Sequence, residues 1–206
     1  MTLNEAEQLL DIFLKPLIQP LGFGQAKRLR YASKSCDATA ILSFGGRLDP
    51  RGYYAFTLGI GLHFEAISKW TDDNPTEKQA TVGTPIHFLR EDKSFTEWKF
   101  SNAADLEGLR GEILSNLKSH AIPYIERYSN LPDLRKAVES PNPKDWIDLG
   151  LNQDSRVNML AAIQLAEGDR TSAIKTLDDA MAERKTALPK RRFEIEKLRN
   201  RLVEMG

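Results

Sequence analysis

Between Tyr53 and Ile67 the chain reads YYAFTLGIGLHFEAI. Tyr54, Phe56, Leu58, Ile60, Leu62 and Phe64 occupy the even positions, while Thr57, Gly59, Gly61, His63 and Glu65 occupy the odd ones. A period of two over this length predicts a long β-strand with one large apolar face. The opposite face is nearly bare at Gly59 and Gly61. Either something packs closely there, or that face is open to a ligand or partner.

The pattern before this strand begins with a helix. Thr2 and Glu5 fit a capping box, in which hydroxyl and carboxylate each accept from a free backbone N–H. Leu3, Ala6, Leu10, Phe13, Leu14 and Leu17 follow at helical spacing. Pro16 disturbs the last turn, and Pro20 and Gly22 end a helix over residues 3 to about 20. It must bury Leu10, Phe13 and Leu17. Alternation at Arg28–Ala32 predicts a first strand, and Ala38, Ala40, Leu42 and Phe44 mark one face of a second. Lys34 to Asp37 turn between them. Gly45 to Gly52 form a loop into the long third strand. Thr71 to Gln79 read as an exposed loop. Ile86, Phe88 and Arg90 suggest a fourth strand; Thr96, Trp98 and Phe100 suggest a fifth, with Glu97 and Lys99 facing out. Successive strands with short turns predict an antiparallel sheet.

From Asn102 the period returns to 3.6. Asn102 caps a helix with Leu106, Leu109, Ile113, Leu114 and Leu117 on its apolar stripe. Pro123 bends or ends it, and Pro132 starts a shorter one through Leu134 and Val138. Ser140-Pro141-Asn142-Pro143 divides the chain, since two prolines break helix and strand alike. Everything beyond is helical. Asp154 or Ser155 opens one helix, Thr171 or Ser172 a second, and Pro189 separates a third. Lys190-Arg191-Arg192 stand at the start of the third, where the helix dipole disfavours cations. The expected fold is therefore α+β. Residues 1–140 form a roughly five-stranded antiparallel sheet covered by two helices, and residues 144–206 form a helical appendage.

Composition sharpens this only a little. The 206 residues carry 29 Lys plus Arg and 29 Asp plus Glu, so the net charge is zero. Such a chain does not advertise nucleic-acid or anionic-membrane binding. Cys36 is the single cysteine, which excludes an intramolecular disulfide and suits a reducing compartment. The first ten residues lack a basic start followed by a continuous apolar stretch, so no secretory signal is expected, and no window nears the roughly 18 apolar residues of a membrane span. The expected location is cytoplasmic.

Candidate chemistry is sparse. On a continuous strand His63 and Glu65 would project from one face and, with Gly59 and Gly61, line a polar hollow. A His-x-Glu pair can ligate a metal or move a proton. His87 would join them only if its strand were a neighbour. No Pro-Cys-x-x-Cys segment supports a zinc deaminase. Cys36 lacks any nucleophile signature, and Gly45-Gly46 and Gly59-Ile60-Gly61 do not make a phosphate loop. No cofactor is called for. Residues 24 to 70 carry seven basic and three acidic side chains. Among them, Lys27, Arg28, Arg30, Arg47 and Arg51 lie near Tyr31, Tyr53 and Tyr54, and this cluster would suit an acidic protein partner. Nucleic acid is a less favoured occupant.

Two resemblances add expectations. Leu14-Lys15-Pro16-Leu17, Pro20-Leu21-Gly22-Phe23, Arg30-Tyr31, Phe56-Thr57-Leu58-Gly59-Ile60, Trp98 and Ile122-Pro123-Tyr124-Ile125-Glu126 resemble a bacterial domain family related to toxin-immunity proteins. The likeness spans about residues 5–140 and implies a non-enzymatic binding protein. Leu165 to Asp169, with Ala173, Ile174 and Ala180, resemble half of a tetratricopeptide-type helical hairpin. The leading expectation is a module that binds a protein, a toxin being the occupant the resemblance supplies. Its site would use Arg30, Tyr31, Arg47, Tyr53, Gly59, Gly61, His63 and Glu65. The alternative is a small-ligand or metal-binding enzyme built on His63 and Glu65.

Overall fold

The computed structural model describes residues 1–71, 79–183 and 189–204, with side chains except at 154, 183, 189–194, 203 and 204. Most of the expected loop Thr71 to Gln79 therefore lies outside the described residues, as do the side chains of Asp154, Lys190, Arg191, Arg192 and Phe193. In chain order the elements are α1 (Leu3–Ile18), β1 (Gly24–Lys27), β2 (Arg30–Ser35), β3 (Ala38–Leu48), β4 (Tyr54–His63), α2 (Glu65–Thr71), β5 (Val82–Pro85) and β6 (Trp98–Phe100). The helices α3 (Ala103–Asn116), α4 (Ile122–Tyr128), α5 (Leu131–Glu139), α6 (Pro143–Ile147), α7 (Gln153–Ala166), α8 (Arg170–Glu183) and α9 (Pro189–Glu204) follow. The fold is α+β, with an open antiparallel sheet. The chain divides into two compact units: Met1–Leu62 with Gly83–Asn130, and His63–Val82 with Leu131–Gly206. The division falls between Asn130 and Leu131 rather than at the paired prolines, and the segment after β4 joins the helical unit. Pro143 instead begins α6, where a missing N–H costs nothing, and Asn142 caps that helix.

In the sheet unit the strand order is β1-β2-β3-β4-β5, and β6 also pairs with β4. Tyr54 lies opposite Phe100 and Phe56 opposite Trp98. The even face of β4 is the core: Tyr54, Phe56, Leu58, Ile60 and Leu62 are all buried. Phe56 has ring neighbours in Phe44, Tyr54, Trp98 and Phe100, with centroids 5.5–6.5 Å away. Helices α1 and α3 pack against each other, α1 against β3 and α3 against β6. The Thr2–Glu5 capping box is present. Leu10, Leu14 and Leu17 of α1 are buried, but Phe13 is only half-buried and lies under the Arg110 guanidinium at 5.3 Å. Asn102 caps α3 through the amides of Ala104 and Asp105 at 2.9 and 3.1 Å. A π-turn over Leu117–Ala121 precedes Pro123. It widens the helix where the proline nitrogen cannot donate, so α3 runs into α4 without a break.

Two strand expectations need correction. Residues Arg28–Ala32 are not one strand. The chain turns at Arg28–Leu29 between β1 and β2, and Leu29 takes a left-handed φ of 57°. Nothing in its own turn chemistry favours that. The Asp11 carboxylate of α1 supplies the hold. It accepts from the Leu29 amide at 3.2 Å, the Tyr31 hydroxyl at 2.8 Å and the Gln25 side chain at 2.8 Å. Nor are Ile86, Phe88 and Arg90 a strand. The pairing segment is β5, just upstream, and Ile86–Leu89 form a 3₁₀ turn after Pro85. Proline cannot extend the ladder through its nitrogen.

The helical unit has its own core. Ala161, Leu165, Ala173, Leu177, Ala180, Ile195, Leu198 and Leu202 form one buried cluster. Alanines at three of these sites let α7 and α8 approach as a close antiparallel pair. Asn152 and Ser155 cap α7 reciprocally at 2.8 and 2.9 Å, and Asp169 caps α8 through the Ser172 amide at 3.0 Å. The caps thus fall two or three residues before the expected ones.

Candidate functional site

The eight residues expected to form one site do not gather. Tyr31 is fully buried, and burial, reinforced by the hydrogen bond to Asp11, pushes its phenol well above the ordinary value. It is a core residue and cannot face a partner. His63 is the last residue of β4 and is buried, with Nδ1 2.6 Å from the Gln79 carbonyl oxygen. The strand ends there. Phe64 takes its amide to the Thr81 hydroxyl at 2.9 Å, and exposed Glu65 opens α2. The shared strand face for His63 and Glu65 is thus overturned: the alternation persists in sequence, but the backbone changes period after His63. His87 sits in the 3₁₀ turn, its ring tilted against Phe88 at 4.4 Å and edge-on to Phe95 at 5.2 Å. Among the described residues no three His, Cys, Asp or Glu side chains group as a metal site.

The two glycines of β4 have different settings. A methyl group built on Gly83 of β5 would fall 2.7 Å from the Ile60 carbonyl oxygen and 3.2 Å from the Gly61 Cα. Gly83 of β5 is therefore the close-packing case, and Gly61, whose Cα it approaches, is buried. A methyl on Gly59 would meet only the Ser43 carbonyl oxygen, at 3.8 Å. Gly59 is half-exposed together with Thr57, Ser43 and Ala32. Arg30 is paired with Ser43 across β2 and β3 and joins this shallow face.

Arg47 and Tyr53 do come together, at the end of the β3–β4 hairpin. Asp49 closes its turn: its amide donates to the Tyr53 carbonyl at 2.8 Å, and its carboxylate accepts from the Arg51 amide and Nε at 2.9 Å each. The guanidinium also bonds the Tyr53 hydroxyl. Those bonds hold the Asp49 carboxyl well below the usual carboxylate range, the side-chain bond to Arg51 being the largest cause. Arg51 and Lys99 lie at 5.0 and 5.3 Å from the Tyr53 ring centroid, within cation–π range. Glu97 pairs with Arg47 at 2.7 Å and with Lys99 at 3.6 Å. The exposures divide by sign: Arg47, Arg51 and Lys99 are 66, 75 and 51% exposed, Asp49 and Glu97 only 14 and 11%. Gly46 fits beneath this end because the Tyr54 ring and the Ala55 carbonyl leave no room for a side chain, a built methyl lying 2.6 and 2.5 Å from them. The buried Tyr54 phenol is pushed up to about 12 by desolvation.

Arg51, Lys99, Asp49 and Glu97 were not among the expected site residues. Their signals were present in the sequence as Asp-Pro-Arg-Gly at the turn and outward Glu97 and Lys99 around Trp98. Only the pairing of β6 with the start of β4 joins the two. Other members of the basic group have internal duties. Arg28 reaches Asn4 at 2.6 Å and Glu7 at 3.6 Å, and neither Lys27 nor Arg30 is without a partner. No helix among the described residues is long and apolar enough to cross a membrane. Comparison of the chain with protein-family models, with curated proteins and with solved structures finds no match.

Proposed function

We propose that this protein is a non-enzymatic binding module that engages an acidic protein partner through the end of the β3–β4 hairpin. The observation that carries the reading is the segregation of charge around Tyr53: three cations outermost, two carboxylates beneath them. The carboxylates fix the guanidinium groups in place, so less side-chain freedom is lost on binding. Tyrosine and arginine are the residue types that most often dominate an interface. A positive outer layer also steers an acidic partner and raises its association rate. The half-exposed face at Arg30, Ser43, Thr57 and Gly59 offers a flat second contact. If the partner is a toxin, as the resemblance in residues 5–140 implies, neutralisation would follow from occlusion of its working surface. The small-ligand and metal reading draws no support from a His63 ring bonded to a carbonyl and a Glu65 on a separate helix.

Affinity capture from the source cells, with wild type against an Arg47→Glu/Arg51→Glu variant, tests this. The expected result is an acidic protein held by wild type, released by salt and lost by the variant, with unchanged far-UV dichroism. Co-expression with that protein should relieve any toxicity it has. A partner retained equally by both proteins and indifferent to salt would overturn the assignment.

A further inference from the structure

The helical unit holds a cleft of about 320 Å³ that the proposed function does not use. Trp70 of α2, Leu165 of α7, Gly168 in the α7–α8 turn, Arg170 of α8 and Leu202 of α9 line it. That volume is at the small end of ligand pockets. Arg170 is the one charged residue of this lining.

The turn explains the shape. Gly168, at φ 85°, ends α7 in a Schellman motif: its amide donates to Leu165 at 3.0 Å and the Asp169 amide to Gln164 at 2.8 Å. A methyl on Gly168 would meet nothing within 4 Å, so this side of the cleft stays open. The Arg170 guanidinium donates to the Leu202 carbonyl, which fixes it across the cleft and leaves further N–H groups of its five to offer. The carboxylates on either side of Gly168 have other partners. Asp169 accepts from the Ser172 amide, and Glu167 pairs with Arg135. Arg201 donates to the Trp70 carbonyl at 3.3 Å, which ties α9 to α2 beside the cleft.

We propose that this cleft binds a medium-chain aliphatic carboxylate, its chain against Trp70, Leu165 and Leu202 and its carboxylate on the Arg170 guanidinium. A planar guanidinium receives a carboxylate through two parallel hydrogen bonds, which an ammonium cannot match. The inference is independent of the hairpin site.

Calorimetric titration of the full chain with octanoate, octan-1-ol, octylamine and acetate tests it, with tryptophan fluorescence as a second readout. Octanoate should bind saturably, octan-1-ol about tenfold more weakly, and acetate and octylamine not measurably. Arg170→Ala should bring octanoate down to the level of octan-1-ol, while Arg47→Glu/Arg51→Glu should leave it unchanged. Arg170 is exposed, so the variant is expected to fold, and its melting curve verifies this. Absence of saturable octanoate binding, equal binding of octylamine, or an unaltered octanoate affinity in folded Arg170→Ala would each overturn the proposal.

Discussion

The two faces of β4 follow opposite packing rules. On one, Tyr54, Phe56, Leu58, Ile60 and Leu62 are large and fully enclosed. On the other, Ala55, Thr57, Gly59 and Gly61 are small, and only the middle pair is half-exposed. The first face is sensitive to lost volume, because its aromatic rings fill space that no neighbour can reclaim. The second is sensitive to added volume, and only where another backbone touches it. A bare strand is therefore not a single kind of site: beside Gly61 the neighbouring strand comes so close that its Gly83 has no room for a methyl, whereas Gly59 has little near it.

The largest test of that contrast removes Phe56. Phe56→Ala should cost about 3–5 kcal/mol in urea unfolding, because it deletes four ring contacts and leaves a cavity. A loss below about 1 kcal/mol would mean that the face is not the enclosed core described. On the other side, Gly83→Ala should cost about 1–3 kcal/mol, since its methyl meets the Ile60 carbonyl at 2.7 Å and the backbone must shift. Gly59→Ala supplies the smallest effect and the opposite sign. With ordinary contact at 3.8 Å it should stabilise the protein by about 0.4–1 kcal/mol through the unfolded chain alone. If Gly59→Ala destabilised as much as Gly83→Ala, the distinction between the two glycines would collapse.

The hairpin end makes a further, electrostatic distinction. The Asp49 carboxyl is held below its ordinary range, so its contribution is complete above that range and is lost as pH falls through the lowered value. Carboxyl-carbon NMR should find Asp49 still ionised at a pH where unpaired aspartates are protonated, and Arg51→Ala should return it towards them.

Much of the fold was legible from periodicity. The capping box at Thr2 and Glu5, the Asn102 cap, the apolar face of β4 and the helices of the second unit all come from local chemistry, and local chemistry is written in short windows. What was misread depended on distance. The β1–β2 turn at Leu29 has no turn residue, because Asp11 holds it. The alternation through Phe64 and Glu65 outlasted the strand, since side-chain pattern alone does not mark where a backbone leaves a sheet. The candidate site was half legible. Arg47 and Tyr53 stood out as exposed types near a turn, but Lys99 and Glu97 join them only through strand pairing across more than forty residues, and Tyr31 alternates with Arg28 and Arg30 on the same side as Leu29, the side that is enclosed.

Asp11 has a wider consequence. The Leu29 amide it receives lies 18 positions downstream. The outermost hairpin of the sheet therefore cannot settle its own alignment from neighbouring residues. The first helix supplies part of the hold, and the edge of the sheet is latched by a group borrowed from another element. A fragment beginning after that helix would keep the alternating residues of β1 and β2 and lose the means to bend between them.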